Sequence, residues 1–142
     1  MNHDRYEDGY IRDILTSTRS IAVIGASPNP ARPVNGVMAF LIRSGYGVIP
    51  INPGIEGKEI HGRTVVARLS DLPGPVDMID VFRNSDAIPA LADEILALLW
   101  RPKVVWLQLG IRNDDAAAKL EEAGIKVVMN RCPAIERPRL IA

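Results

Sequence analysis

Small and polar residues recur in this chain directly after short apolar runs, and their types suit anion binding better than bond-making chemistry. Gly25-Ala26-Ser27 follows Ile21-Ala22-Val23-Ile24, and Asn52-Pro53 follows Val48-Ile49-Pro50-Ile51. Phe82-Arg83-Asn84 closes the run that starts at Asp77, Gln108-Leu109-Gly110 follows Lys103 to Leu107, and Asn130-Arg131-Cys132 follows Ile125 to Met129. No G-x-S-x-G nucleophile elbow or Walker lysine is present. Asp77 and Asp80 fall on opposite faces of one extended run and do not converge. His3 and His61 lie far apart and accompany no cysteine cluster, so no zinc site is expected. Neither a catalytic group nor a metal is expected.

Each candidate has a structural reading beside its binding reading. Gly25, Ala26 and Ser27 let a backbone approach a pyrophosphate closely, or simply make a tight strand-to-helix turn. Arg32 can grip a phosphate bidentately, or stand solvated at the start of a helix. Pro33 suits a first helical position and serves the backbone. Asn52 offers a donor and an acceptor to a base or ribose, or forms an Asx turn before Pro53-Gly54. Lys58 sits in a glycine-rich loop, within reach of a ligand phosphate or merely exposed. Arg83 either lines a crevice or belongs to a surface ion pair. Trp106 alternates with Val105 and Leu107 and is expected in the core. Cys132, beside the cation Arg131, is a reactive thiolate or an inert buried thiol.

The intervening segments must hold these residues in place. A short helix is expected from about Asp8 to Thr18, with Ile11, Ile14 and Leu15 on one face. Val34, Val37, Phe40 and Leu41 repeat at helical spacing after Pro33, and Gly45 and Gly47 stop that helix. Thr64 to Ala67 is expected as a short third strand. Ser85 can cap a helix from Asp86 to Trp100, and Asn113 one from Asp114 to Ala123 closed by Gly124. The tail from Asn130, with Pro133 and Pro138, is expected to be extended. Alternating strands and helices predict an α/β fold: a Rossmann-like, doubly wound parallel sheet in three layers, α/β/α. Strand order 3-2-1-4-5, with the last strand beside the fifth, opens a crevice at the carboxyl ends of the strands.

The first βαβ unit lacks two features of a dinucleotide site. Its turn reads G-A-S-P-N-P, not G-x-G-x-x-G, and Ile51-Asn52-Pro53-Gly54 offers no acid for a ribose diol. Coenzyme A, whose ribose carries a 3′-phosphate, fits such a site better than NAD. The pieces IAVIGAS, the RP of ARPVNGV, VIPINP, IHG, DMIDVFR, VWLQLGI and NRC together resemble the small single-domain CoA-binding proteins. That family is similar to the CoA-binding domain of the succinyl-CoA synthetase α-subunit. The resemblance covers roughly residues 20 to 135. It implies bound CoA or acyl-CoA, with Gln108 and Gly110 near a pantetheine amide, and no established reaction for the small members. In the synthetase a second domain supplies the phosphorylated histidine, so His61 does not inherit that role. Val34 stands where relatives often carry Ser, and Asn130 where they often carry Asp.

The chain has 142 residues, and one domain over residues 1–142 is expected, with its core at about 20–135. A chain of this size buries roughly 68–70% of its unfolded surface, enough for a core without staples. Lys plus Arg equals Asp plus Glu at 17 each, which argues against a broad nucleic-acid surface. A single cysteine forbids an internal disulfide. The opening MNHDRYEDGY does not read as a secretory signal, and no apolar segment approaches the ~20 residues of a membrane helix. A cytoplasmic CoA-binding carrier, sensor or regulatory protein is the leading expectation, with a homo-oligomer or partner enzyme left open. The alternatives are an NAD(P)-binding protein or an accessory component of an acyl-CoA-processing enzyme.

Overall fold

A computed structural model describes residues 1–141. Helix α1 spans Asp8–Ser17 and leads through Thr18 into strand β1, Ser20–Ile24. Helix α2, Pro33–Arg43, and strand β2, Gly47–Ile51, complete the first βαβ unit. Strands β3, Glu59–Ile60, and β4, Arg63–Thr64, form a small antiparallel hairpin. Then follow β5, Met78–Val81; α3, Ile88–Leu96; β6, Val104–Leu107; α4, Asp114–Glu122; β7, Lys126–Val128; and α5, Pro133–Leu140. The main sheet has order β2-β1-β5-β6-β7, every pair parallel. This is the Rossmann-like doubly wound α/β/α architecture.

Two apolar layers follow from the two-residue period of the strands. Ile21, Val23, Met78, Val104, Trp106 and Val128 face α1, α2 and α5, meeting Ile11, Leu15, Val34, Met38 and Leu41. Ala22, Ile24, Ile79, Val81, Val105, Leu107 and Val127 face α3 and α4, meeting Ile88, Leu91, Ile95, Ala117 and Leu120. Each fully buried aliphatic side chain contributes ~1.5–3 kcal/mol. Trp106 is wholly buried, as expected, and its Nε1–H donates to the Arg131 carbonyl at 2.9 Å.

Three expectations need correction. Thr64 to Ala67 is not a third strand of the sheet: Arg63–Thr64 joins the hairpin, and only Val66 bridges Ile51 in parallel. The Pro50 carbonyl accepts from Val66 N–H on the outer edge of β2, so the nitrogen of Pro50 also points outward. Proline has no N–H to extend that ladder. The tail is not extended, since Pro133 takes the first position of α5 and the helix continues through Pro138. Pro133 costs nothing there because the first N–H groups lack helical partners anyway. Pro138 falls in the last turn, and Ala134, Leu140 and Ile141 pack on the core beside α1 and α2. The helix expected over Asp86–Trp100 begins as a 3-10 turn at Ser85–Ala87 and ends at Leu96.

Candidate functional site

Two clefts open at the carboxyl ends of the strands. The smaller, about 320 Å³, lies on the α3 side, between Ile24, Ile51, Pro53 and the segment Ala67-Arg68-Leu69 on one wall and Ala87, Ala90, Leu91 and Glu94 on the other. The larger, about 860 Å³, lies on the α2 side and is lined by Pro33, Val37, Phe82, Asn84, Gln108, Leu109, Gly110 and Cys132 among others. Arg83 lines both. The turn after β1 runs between them, from Ile24 on one wall to Pro33 on the other.

That turn is built by its own hydrogen bonds. Gly25 has φ +83°, and a Cβ there would lie 2.3 Å from the Phe82 carbonyl oxygen, so contact between the ends of β1 and β5 requires glycine without any ligand. Gly25 N–H and Ala26 N–H both donate to the Ile51 carbonyl, at 3.1 and 3.3 Å. Ser27 Oγ accepts from Asn29 N–H, Asn29 Oδ1 accepts from Ala31 N–H, and Asn35 Nδ2 donates back to the Ser27 carbonyl. The hairpin closes over this loop through His61 Nε2–H, 3.1 Å from both the carbonyl and Oδ1 of Asn35. Among the described residues, Ser27 N–H and Val34 N–H have no protein acceptor. These donors lie at the ends of the loop, with Arg32 immediately before α2 and exposed.

Other strand-end residues are occupied as well. Asn52 accepts from Gly54 N–H through Oδ1 at 2.9 Å and donates from Nδ2 to the Ala26 carbonyl at 2.8 Å, tying the ends of β1 and β2 together. Asn130, at φ +57°, accepts from Gly110 N–H at 2.7 Å and so ties the ends of β6 and β7. Arg131 is stacked over the Tyr6 ring, 5.0 Å from its centroid, and donates to the Asn130 carbonyl. Lys58 is exposed on the hairpin side and lines neither cleft.

The structure thus gathers Pro33, Phe82, Arg83, Gln108, Gly110 and Cys132 around the larger cleft, and Pro53 with Arg83 around the smaller. Gly25, Ala26, Ser27, Arg32, Asn52, Lys58, Asn130 and Arg131 line neither. Sequence reasoning missed Arg68, Leu91 and Glu94 of the smaller cleft. Arg68 carries the same signal as Arg83, a cation directly after the apolar end of an expected strand, here Thr64 to Ala67.

Beneath the larger cleft two polar side chains are buried without partners. Gln108 is 5% exposed, and its Oε1 accepts no hydrogen bond. Asp80, register neighbour of Val23 and Trp106, is 0% exposed and both its carboxylate oxygens lack partners. Burial holds its carboxyl well above the usual carboxylate range. Cys132 is 7% exposed at the N-cap of α5.

An N-terminal strap braces this side of the site, a feature that polar sequence did not announce. The Tyr6 hydroxyl accepts from Met129 N–H at 2.8 Å and lies 2.6 Å from His3 Nδ1, while His3 Nε2 lies 2.7 Å from Glu121 Oε1. Arg112 ties the strap to α4 through Asp4 and Asp114, both at 2.7 Å. Tyr10 donates to the Val127 carbonyl, and burial pushes its hydroxyl up to about 12. Among the described residues no three His, Cys, Asp or Glu gather as a metal site, and no helix is long and apolar enough to cross a membrane.

Comparison with known proteins adds a family. A family model described as a CoA binding domain matches residues 19–138. Protein YneT of Bacillus subtilis is 37% identical over 122 residues, 86% of this chain and 87% of its own. A solved structure from Thermus thermophilus is 44% identical with a TM-score of 0.89, covering 96% of this chain and 100% of that one. A hypothetical protein from Pyrococcus horikoshii OT3 is 35% identical with a TM-score of 0.84, covering 100% and 97%.

Proposed function

This chain belongs to the CoA binding domain family, and from that membership we propose that it binds coenzyme A or an acyl-CoA across the two clefts, as a carrier, sensor or regulatory protein. The observation that carries the reading is the pair of clefts sharing Arg83, with the β1 turn between them. A linear ligand fits such a path: a ring at one end, a diphosphate in the middle, a flexible arm at the other. The smaller cleft, apolar at Ile24, Ile51 and Leu91, takes the adenine. The diphosphate lies over the free Ser27 and Val34 N–H groups, where Arg32 and the positive end of α2 favour negative charge. The pantetheine arm enters the larger cleft, where the Gln108 amide supplies polar contact and Cys132 meets the thiol end.

The fold supplies no acid for an unmodified ribose diol at the end of β2, since Asn52 holds that place and both ends of its amide are engaged. Saturation with CoA at a hundredfold excess over Kd adds ~2.7 kcal/mol to stability. The melting temperature then rises by roughly 5–11 °C. NAD at equal concentration is expected to shift it far less. An NAD shift equal to or larger than the CoA shift overturns the assignment. Native mass spectrometry of the purified protein identifies any acyl group carried along.

A further inference from the structure

We infer that Arg68 makes the smaller cleft selective for an adenosine bearing a phosphate on its ribose 3′-oxygen. This rests on the CoA reading above and goes further by assigning the residue that discriminates among adenine nucleotides. The cleft contains two cations, Arg68 and Arg83, and one acid, Glu94. Both arginines are exposed, and among the described residues neither takes part in an ion pair; every ion pair lies elsewhere. Solvent satisfies an exposed guanidinium, so it is their place and not their lack of an ion pair that matters: two cations flank an apolar floor, which suits a ligand with a ring and an anion.

The two cations divide by position. Arg83 lines both clefts, so it stands where a ligand crosses from one to the other and meets the diphosphate. Arg68 lines the smaller cleft and not the larger, beside Ala67 and Leu69 at the nucleoside end, and its other side borders a groove of about 550 Å³ shared with Glu56, Thr64 and Asp71. A diphosphate already engaged in the middle leaves a second anion for Arg68 to meet, which is a phosphate on the ribose. Leu69 anchors the segment, being 1% exposed in the core, so the backbone carrying Arg68 is fixed while its side chain is free to reach. Lys58, the residue that sequence alone pointed to, lies outside this wall.

Calorimetry at low salt on the full chain tests this with CoA and 3′-dephospho-CoA, using wild type, Arg68→Gln and Lys58→Gln. A charge-assisted hydrogen bond predicts CoA binding tighter than 3′-dephospho-CoA by about 10-fold or more. Arg68→Gln should erase that preference by weakening CoA alone, and Lys58→Gln should preserve it. Adenosine 2′,5′-bisphosphate, as competitor, should displace CoA less well than the 3′,5′ isomer. Wild type binding both CoA forms equally overturns the inference and leaves the CoA reading standing. So does a preference that survives Arg68→Gln, or one that Lys58→Gln removes. Wild type binding neither ligand overturns both. Arg68 is exposed, so its substitution leaves the fold intact, and an unchanged melting temperature without ligand verifies this.

Discussion

Asp80 offers a direct test of the buried polar layer under the larger cleft. Its carboxyl is wholly enclosed in the central strand, without a hydrogen-bond partner, and burial raises its pKa well above the ordinary carboxylate value. The native state therefore keeps a proton that the unfolded chain releases once the pH passes about 3.9. Stability from this group is fully present below that unfolded value and is lost as pH rises toward the folded one. Within that window the loss amounts to ~1.4 kcal/mol per pH unit. Asp77 and Asp114, both held below the usual range, act in the opposite direction at lower pH. A difference between variants is needed to isolate Asp80. Asp80→Asn is nearly isosteric and cannot ionise, so the stability of wild type minus that of Asp80→Asn should decline as pH rises above about 4. Urea unfolding at half-unit steps from pH 4.5 to 8 measures it, with m-values checking that both proteins unfold alike. A flat difference across that range refutes the argument, because it would mean that Asp80 ionises in the folded protein as freely as in the unfolded one.

Two further substitutions probe how the strand ends are held. Gly25→Ala places a Cβ 2.3 Å from the Phe82 carbonyl at φ +83° and is expected to cost ~2–4 kcal/mol, read by chemical denaturation; a loss below about 1 kcal/mol would mean that the ends of β1 and β5 separate easily. Gly36→Ala, with open space around its Cβ inside α2, is the control and should stabilise by about 0.5–1 kcal/mol. Tyr6→Phe strands the N–H of Met129, itself 0% exposed, and is expected to cost ~1–3 kcal/mol; a change under about 0.5 kcal/mol would show that the strap is incidental to β7.

The fold was legible because its cues are local and repeated. Apolar runs of four or five residues, each ending in a small or polar residue, alternate with helical periods, and this suffices for a parallel sheet covered on both faces. The strand expected at Thr64 to Ala67 does not form, for a reason found elsewhere in the chain: the missing N–H of Pro50 denies the ladder its next bond, while Glu59–Ile60 captures Arg63–Thr64. The helix in the tail was hidden by its prolines, one harmless at the first position and one late enough for packing against α1 and α2 to outweigh its cost. The strap was hidden more deeply, since nothing in MNHDRYEDGY states that Tyr6 will accept from Met129 or lie under Arg131.

The candidate site was legible by location more than by residue. Strand ends pointed to the right edge of the sheet, but residue type alone cannot tell a group that awaits a ligand from one that serves the chain. Gly25, Asn52 and Asn130 suit a nucleotide by type, yet each has a structural duty: Gly25 against the Phe82 carbonyl, and the two asparagines as bonds between neighbouring strand ends. Arg68 and Arg83 suit a solvated surface by type, yet both line a cleft without a charge partner. Hydrogen-bond accounting reverses the order of interest. Buried polar groups must find partners somewhere, so a satisfied asparagine needs no ligand to explain it. An unmatched Gln108 carbonyl, buried in the wall of one cleft, is a feature that the folded chain by itself leaves incomplete, and two exposed guanidiniums flank the other cleft. A ligand with an amide-bearing arm and phosphate groups meets both, which is why the proposed CoA orientation draws on these groups together with the free N–H groups of the β1 turn, and not on Gly25 itself.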